Sequence, residues 1–191
     1  MKNILLILLL IAFSFLSPAW AQVEPDHGHQ VSKKIEALAK NYDLDSDIGY
    51  FQALSALEEE QRLHQGVAVK ANFTRFLENP DKYLALLTKK YLFRTDHSER
   101  WFNSFAEAAE YAKKGDWSSC EIAAGKGLIE KPDEPVLIFL QAVAHKKLNQ
   151  NKLSLSDLNH LCSIKENRKI DPDWNKYREQ EEREFFDFLL I

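Results

Sequence analysis

From residue 31 onward the chain places its apolar residues three or four apart, the spacing that lines up one face of a helix. Val31, Ile35, Leu38, Ala39 and Tyr42 form the first such run. A second goes from Asp47 to His64 through Ile48, Phe51, Leu54 and Leu57 and stops at Gly66. A third carries Val69, Phe73, Phe76 and Leu77 and must end near Asn79, because Pro80 disfavours helical backbone in the residue before it. Tyr83, Leu84, Leu87 and Tyr91 mark a fourth, from Asp81 to Leu92. No stretch of four or more residues alternates apolar with polar in the manner of a strand, so the fold class expected is all-α.

The sharpest local pattern lies between Asp96 and Pro132. Asp96 and Glu99 have capping-box spacing, which satisfies free amides at a helix start. The helix that follows carries Trp101, Phe105, Ala108, Tyr111 and Ala112 and closes at Lys113-Lys114-Gly115. Lysines suit the negative end of the helix dipole, and glycine suits the left-handed residue just beyond it. Asp116 can cap a second helix holding Trp117, Cys120, Ala123, Ala124 and Leu128, which Pro132 brings to an end. A further helix is expected over Val136-Leu137-Ile138-Phe139-Leu140-Gln141-Ala142-Val143-Ala144, closing at Leu148-Asn149. Its apolar residues cover nearly the whole circumference, which marks a central, buried helix. Another follows from about Ser154 to Lys165.

This helix–turn–helix resembles a tetratricopeptide repeat, a unit of about 34 residues whose two helices pack antiparallel. The matching residues are Ala108, Tyr111, Gly115 at the turn, Trp117, Leu128 and Pro132, with a 17-residue step from Gly115 to Pro132. Cys120 and Gly127 stand where the family prefers alanine, Ala124 where it prefers an aromatic, and Glu107 at a usual leucine position. A second, degenerate unit starts at Pro135, so the resemblance covers residues 98–172. Residues 22–95 align with no repeat, although their helices can stack onto such an array. An irregular helical bundle containing one repeat-like hairpin is the alternative.

The resemblance implies that the first helix of each unit lines a concave, ligand-binding side. Phe102, Ala109 and Lys113 would face it from the first unit, and Val136, Phe139, Val143, Lys146 and Lys147 from the second. Most of these are apolar, and an apolar face of that size requires a cover. After Asp171-Pro172-Asp173, Trp174, Tyr177, Phe185, Phe188 and Leu189 define one more amphipathic helix, which either caps the array or docks a partner or a membrane surface. The resemblance also places Cys120 and Cys162, the sole cysteines, on the second helices of consecutive units. A bridge there would enclose 42 residues of sequence and contribute roughly 2–4 kcal/mol. Two buried free thiols are the other reading.

The opening residues carry an address rather than fold. Lys2, an apolar run from Ile4 to Leu16, and Ser17-Pro18-Ala19-Trp20-Ala21 match a secretory signal cleaved after Ala21. The run is shorter than the ~20 residues a spanning helix needs, and no second long apolar stretch follows. Removing 21 of the 191 residues leaves 170, and loss of Lys2 takes the net charge from −4 to −5. The expected organisation is a leader over 1–21, a helical segment over 22–95, repeats over 96–172 and a terminal helix over 173–191. The product would be exported, to the periplasm or the exterior.

Composition narrows the chemistry. With 25 Lys+Arg against 29 Asp+Glu, no basic excess exists to neutralise phosphates, and nucleic acid is not an expected partner. Hydrophobic residues at 45% with only 6 Gly and 6 Pro exclude a disordered chain. Asp43, Asp45 and Asp47 imitate the start of a calcium loop, but Ile48 and Leu54 stand where glycine and a bidentate glutamate are needed. His27 and His29 lack a third ligand, and His64, His97, His145 and His160 are scattered singly, so no metal is expected. Asn72-Phe73-Thr74 is a glycosylation sequon relevant only in a eukaryotic host. No nucleophile elbow, phosphate-cradling loop, zinc-protease helix or Cys-x-x-Cys is present, so no cofactor is expected. The functional expectation is a protein- or peptide-binding adaptor or scaffold and not an enzyme. An enzyme or secreted effector on a helical bundle is the alternative.

Overall fold

The computed structural model describes residues 31–65, 69–92 and 100–164. The leader, His27 and His29, the Asp96/Glu99 pair, and the C-terminal helix expected from residue 173 lie outside the described residues. All regular structure within them is helical: α1 (Lys33–Asn41), α2 (Asp47–Gln65), α3 (Val69–Glu78), α4 (Pro80–Leu92), α5 (Arg100–Lys113), α6 (Trp117–Glu130), α7 (Pro135–Lys147) and α8 (Asn151–Ser163).

The helix ends follow from local chemistry. Ser32 Oγ accepts the Ile35 amide at 3.4 Å at the start of α1, and Asp116 Oδ1 accepts the Ser119 amide at 3.1 Å at the start of α6. Both satisfy a donor with no partner inside the helix. The Ser119 hydroxyl and amide hold the exposed Asp116 carboxyl below the usual carboxylate range. Pro80 and Pro135 open α4 and α7, where a missing amide hydrogen does no harm. Gly115 ends the α5 turn at φ +72°, the left-handed conformation open to a residue without Cβ. Asn149 takes the same role after α7 at φ 60°, and Gln150 N–H closes back onto the His145 carbonyl at 2.8 Å.

Short turns make α5/α6 and α7/α8 antiparallel hairpins, and α7 packs against α6 and α5 as well as against α8. α1 and α2 lie on α8, while α3 bridges α2 and α4, and α4 leads onto α5. Consequently the N-terminal helices share one continuous core with the hairpins, from Ile35 to Cys162. α7 is the central helix anticipated from its composition: every residue from Pro135 to His145 is buried.

Part of the cover over α7 comes from the N-terminal helices. Phe73 and Phe76 of α3 meet Phe139 edge-on, with ring centroids 6.0 and 5.1 Å apart. Tyr50 of α2 lies against Phe73 at 6.4 Å. Edge-to-face contacts set the negative face of one ring against the positive rim of another, and they add about 0.5–1.5 kcal/mol each beyond area burial. α3 thus covers Phe139, one of the residues that the repeat resemblance left open to a ligand.

Candidate functional site

The eight residues expected to bind a partner divide by chemistry. Val136, Phe139 and Val143 have no exposed area, and Phe102 and Ala109 retain only 7% and 6%. These five are buried in the core of the folded chain, Phe139 against Phe73 and Phe76 and Phe102 against Trp101 and Phe105. The lysines sit at helix ends and reach solvent. Lys113 and Lys147 are exposed. Lys146 is mostly covered: Nζ donates to Asp47 Oδ1 at 2.9 Å and Asn151 Oδ1 at 3.2 Å, and rests 4.2 Å over the Tyr50 ring. It fastens α2 to the α7–α8 turn rather than waiting for a ligand.

The disulfide expectation is also corrected. Cys120 and Cys162 are free and buried. Cys162 lies where the charges of Glu58 and Lys34, on the N-terminal helices, reach it, whereas Cys120 feels Asp116 and Glu121 of its own helix and cap. Desolvation pushes each thiol up to about 12, which leaves both as inert apolar packing groups.

Because the hairpins stack side by side, the α5–α6 and α7–α8 turns share one end of the molecule. There Lys113, Lys114 and Lys147 are exposed, and Lys147 Nζ stands 5.9 Å from the centroid of the half-buried Trp117 ring. Beside the α7–α8 turn opens a cleft of about 490 Å³, with Tyr42, Asp43 and Asp45 on one wall and Asn149, Gln150 and Lys152 on the other. Its acidic wall is a fixed turn. Asp43 Oδ1 accepts the Asp45 amide at 3.2 Å, and Ser46 Oγ donates to the Asp43 carbonyl at 3.0 Å. Gly49 is required behind that carbonyl, because a Cβ there would lie 2.0 Å from it. Asp47, the third carboxylate of the calcium-like run, is held by Lys146. Among the described residues no three ligating side chains converge on a metal position.

The most concentrated polar chemistry is one that sequence reading passed over. His145 of α7 is 2% exposed, and both ring nitrogens face carboxylates: Nδ1 lies 2.6 Å from Asp157 Oδ2 on α8 and Nε2 lies 3.3 Å from Glu121 Oε1 on α6. Burial alone would lower the imidazole pKa, but the hydrogen bond and charge of Asp157, followed by Glu121, outweigh it and raise the pKa above its ordinary 6.5. Adjacent to the pair, Ser154 Oγ donates to the Ala142 carbonyl at 2.7 Å, so the Tyr50 hydroxyl, 2.7 Å away, is the donor to Ser154. Burial pushes the Tyr50 phenol well above its usual range. This serine hydroxyl is committed on both sides, and the histidine has no open face toward a substrate. The cluster joins α2, α6, α7 and α8. Its signal in the sequence was the pair Gln141 and His145, four apart in an otherwise apolar helix, since buried polar groups require partners.

His160, another of the scattered histidines, meets Asp133 at 3.0 Å near the surface. Asn72 of the sequon is 2% exposed and accepts from Arg75 Nη1 at 3.3 Å, so the folded chain offers it to no glycosylating enzyme. No helix among the described residues is long and apolar enough to cross a membrane. Comparison with protein-family models, with curated proteins and with solved structures finds no match.

Proposed function

We propose that this chain is an exported, tetratricopeptide-like helical protein that serves as an adaptor, binding an acidic protein or peptide segment at its turn-bearing end. The observation that carries this reading is the exposure of Lys113 and Lys114 at the α5–α6 turn and of Lys147 at the end of α7, with Lys147 Nζ 5.9 Å from the centroid of the half-buried Trp117 ring. Exposed ammonium groups can hold carboxylates while the ring beside Lys147 supplies apolar contact. With the exposed Asp116 in the same turn, the three lysines still leave a local excess of positive charge that can steer and orient an acidic partner. Val136, Phe139 and Val143 have no exposed area to contribute.

The test uses fluorescently labelled decapeptides rich in Asp and Glu, with lysine-rich and neutral peptides of equal length as controls. Wild-type protein is expected to bind the acidic set, more weakly as salt rises from 0.05 to 0.5 M. The triple variant Lys113→Glu, Lys114→Glu, Lys147→Glu is expected to keep its helical circular dichroism and lose at least about tenfold in affinity, the scale of one strong charge contact. Equal binding by the variant, or no preference for acidic over lysine-rich peptides, overturns the proposal.

A further inference from the structure

We propose that His145, clamped between Glu121 of α6 and Asp157 of α8, is a proton-operated latch: doubly protonated it ties three helices, and on losing a proton it releases α6. The geometry requires two protons on the ring. A neutral imidazole carries one N–H and one lone pair. Either tautomer would aim that lone pair at a carboxylate oxygen, 2.6 Å away at Nδ1 or 3.3 Å away at Nε2. Only the imidazolium donates on both sides.

The two contacts are unequal. Asp157 has no exposed side-chain area and faces Nδ1 at the shorter distance, whereas the Glu121 side chain is 30% exposed. When pH rises, the Nε2 proton leaves to water on the Glu121 side. The Nδ1 proton stays with Asp157. Glu121, facing a lone pair, turns outward, and α6 loses its polar tie to the α7–α8 hairpin.

Other groups around α7 leave these two carboxylates in control. The buried positions of α5 are Trp101, Phe102, Phe105, Ala108, Ala109 and Ala112, and those of α3 are Val69, Asn72, Phe73 and Phe76; none is charged. From α2, Tyr50 reaches the cluster only through Ser154, and Asp47 is engaged one residue farther along by Lys146. His145 pairs with Asp157 across twelve residues of one hairpin and with Glu121 across the hairpin boundary. The proton therefore decides how firmly the two hairpins are joined.

The direction of the pH effect follows by linkage. A histidine pKa raised in the folded state contributes stability that is fully present below about 6.5, the unfolded value, and disappears as pH rises through the folded value. The test is an NMR titration of the histidine ring protons in the full chain between pH 5 and 9, with amide exchange in α6 followed over the same range. His145 is expected to titrate above 6.5, and α6 amides to exchange faster as it does. Glu121→Gln keeps the side-chain shape at a half-exposed position. It is expected to lower the His145 pKa by about one unit, a tenfold loss of proton affinity, without unfolding the chain. Glu107→Gln, on the exposed face of α5, is the control and is expected to leave the titration unmoved. A His145 pKa at or below 6.5, no change with Glu121→Gln, or α6 exchange indifferent to the titration each overturns the latch.

Discussion

Gly49 is fixed by a neighbour six residues earlier in the chain. It lies in the first turn of α2, and the Asp43 carbonyl sits where its Cβ would be. Alanine would ordinarily favour the helix by about 1 kcal/mol, yet here it must push backbone aside, and overpacking of this kind costs about 1–3 kcal/mol. Gly49→Ala is expected to destabilise the protein by about 1 kcal/mol net, read as a lower urea midpoint at unchanged slope. A midpoint equal to or above wild type would remove the Asp43 carbonyl from that position. The cysteines offer a second check at this scale. With thiols at about 12, on the order of one molecule in ten thousand carries a thiolate at pH 8, and the thiolate is the reactive species. Thiol-directed dye is expected to spare both cysteines in the folded protein and to label both after denaturation without reductant. Failure to label after denaturation would restore the bridge.

Among the elements, α7 carries the heaviest structural role. Phe139→Ala removes the ring on which Phe73 and Phe76 converge, and large-to-small changes at such sites cost about 3–5 kcal/mol. Calorimetry is expected to show a large fall in melting temperature; a neutral change would return Phe139 to the surface. The helices themselves were legible, because apolar spacing is local: α2 begins at Asp47, α3 ends before Asn79, and Asp116 caps α6, all as read. α8 begins three residues before Ser154, since the left-handed Asn149 sets its start and no apolar residue announces that turn. What covers α7 was not legible. Phe73 and Phe76 lie more than sixty residues from Phe139, and periodicity shows that a face needs burial without naming its partner. His145 was hidden for the same reason, with Glu121 and Asp157 on two other helices.

For the whole molecule, the proposed adaptor surface and the core are separated by charge. The apolar residues that the repeat resemblance offered as a groove are buried, Phe139 under α3, while the lysine-bearing end is accessible beside a cleft with a carboxylate wall. A helical array whose first segments lie across its last hairpin also carries contacts of two kinds. α5/α6 and α7/α8 are joined by neighbours in sequence, whereas the Tyr50–Ser154 bond spans 104 residues and the Lys152–Glu36 pair spans 116. Local contacts form early because they close short loops, and distant ones wait. In pulsed hydrogen exchange during refolding, amides of α5–α8 are expected to gain protection before those of α1 and α2; simultaneous protection would argue against this order. On the ribosome the sequence of events is inverted. Helices α1 and α2 emerge first, and α8, the surface they rest on, is made only after α3–α7. For that interval Phe73, Phe76 and Tyr50 stay without their native seat, so nascent-chain holding factors have their longest opportunity at the segment synthesised earliest.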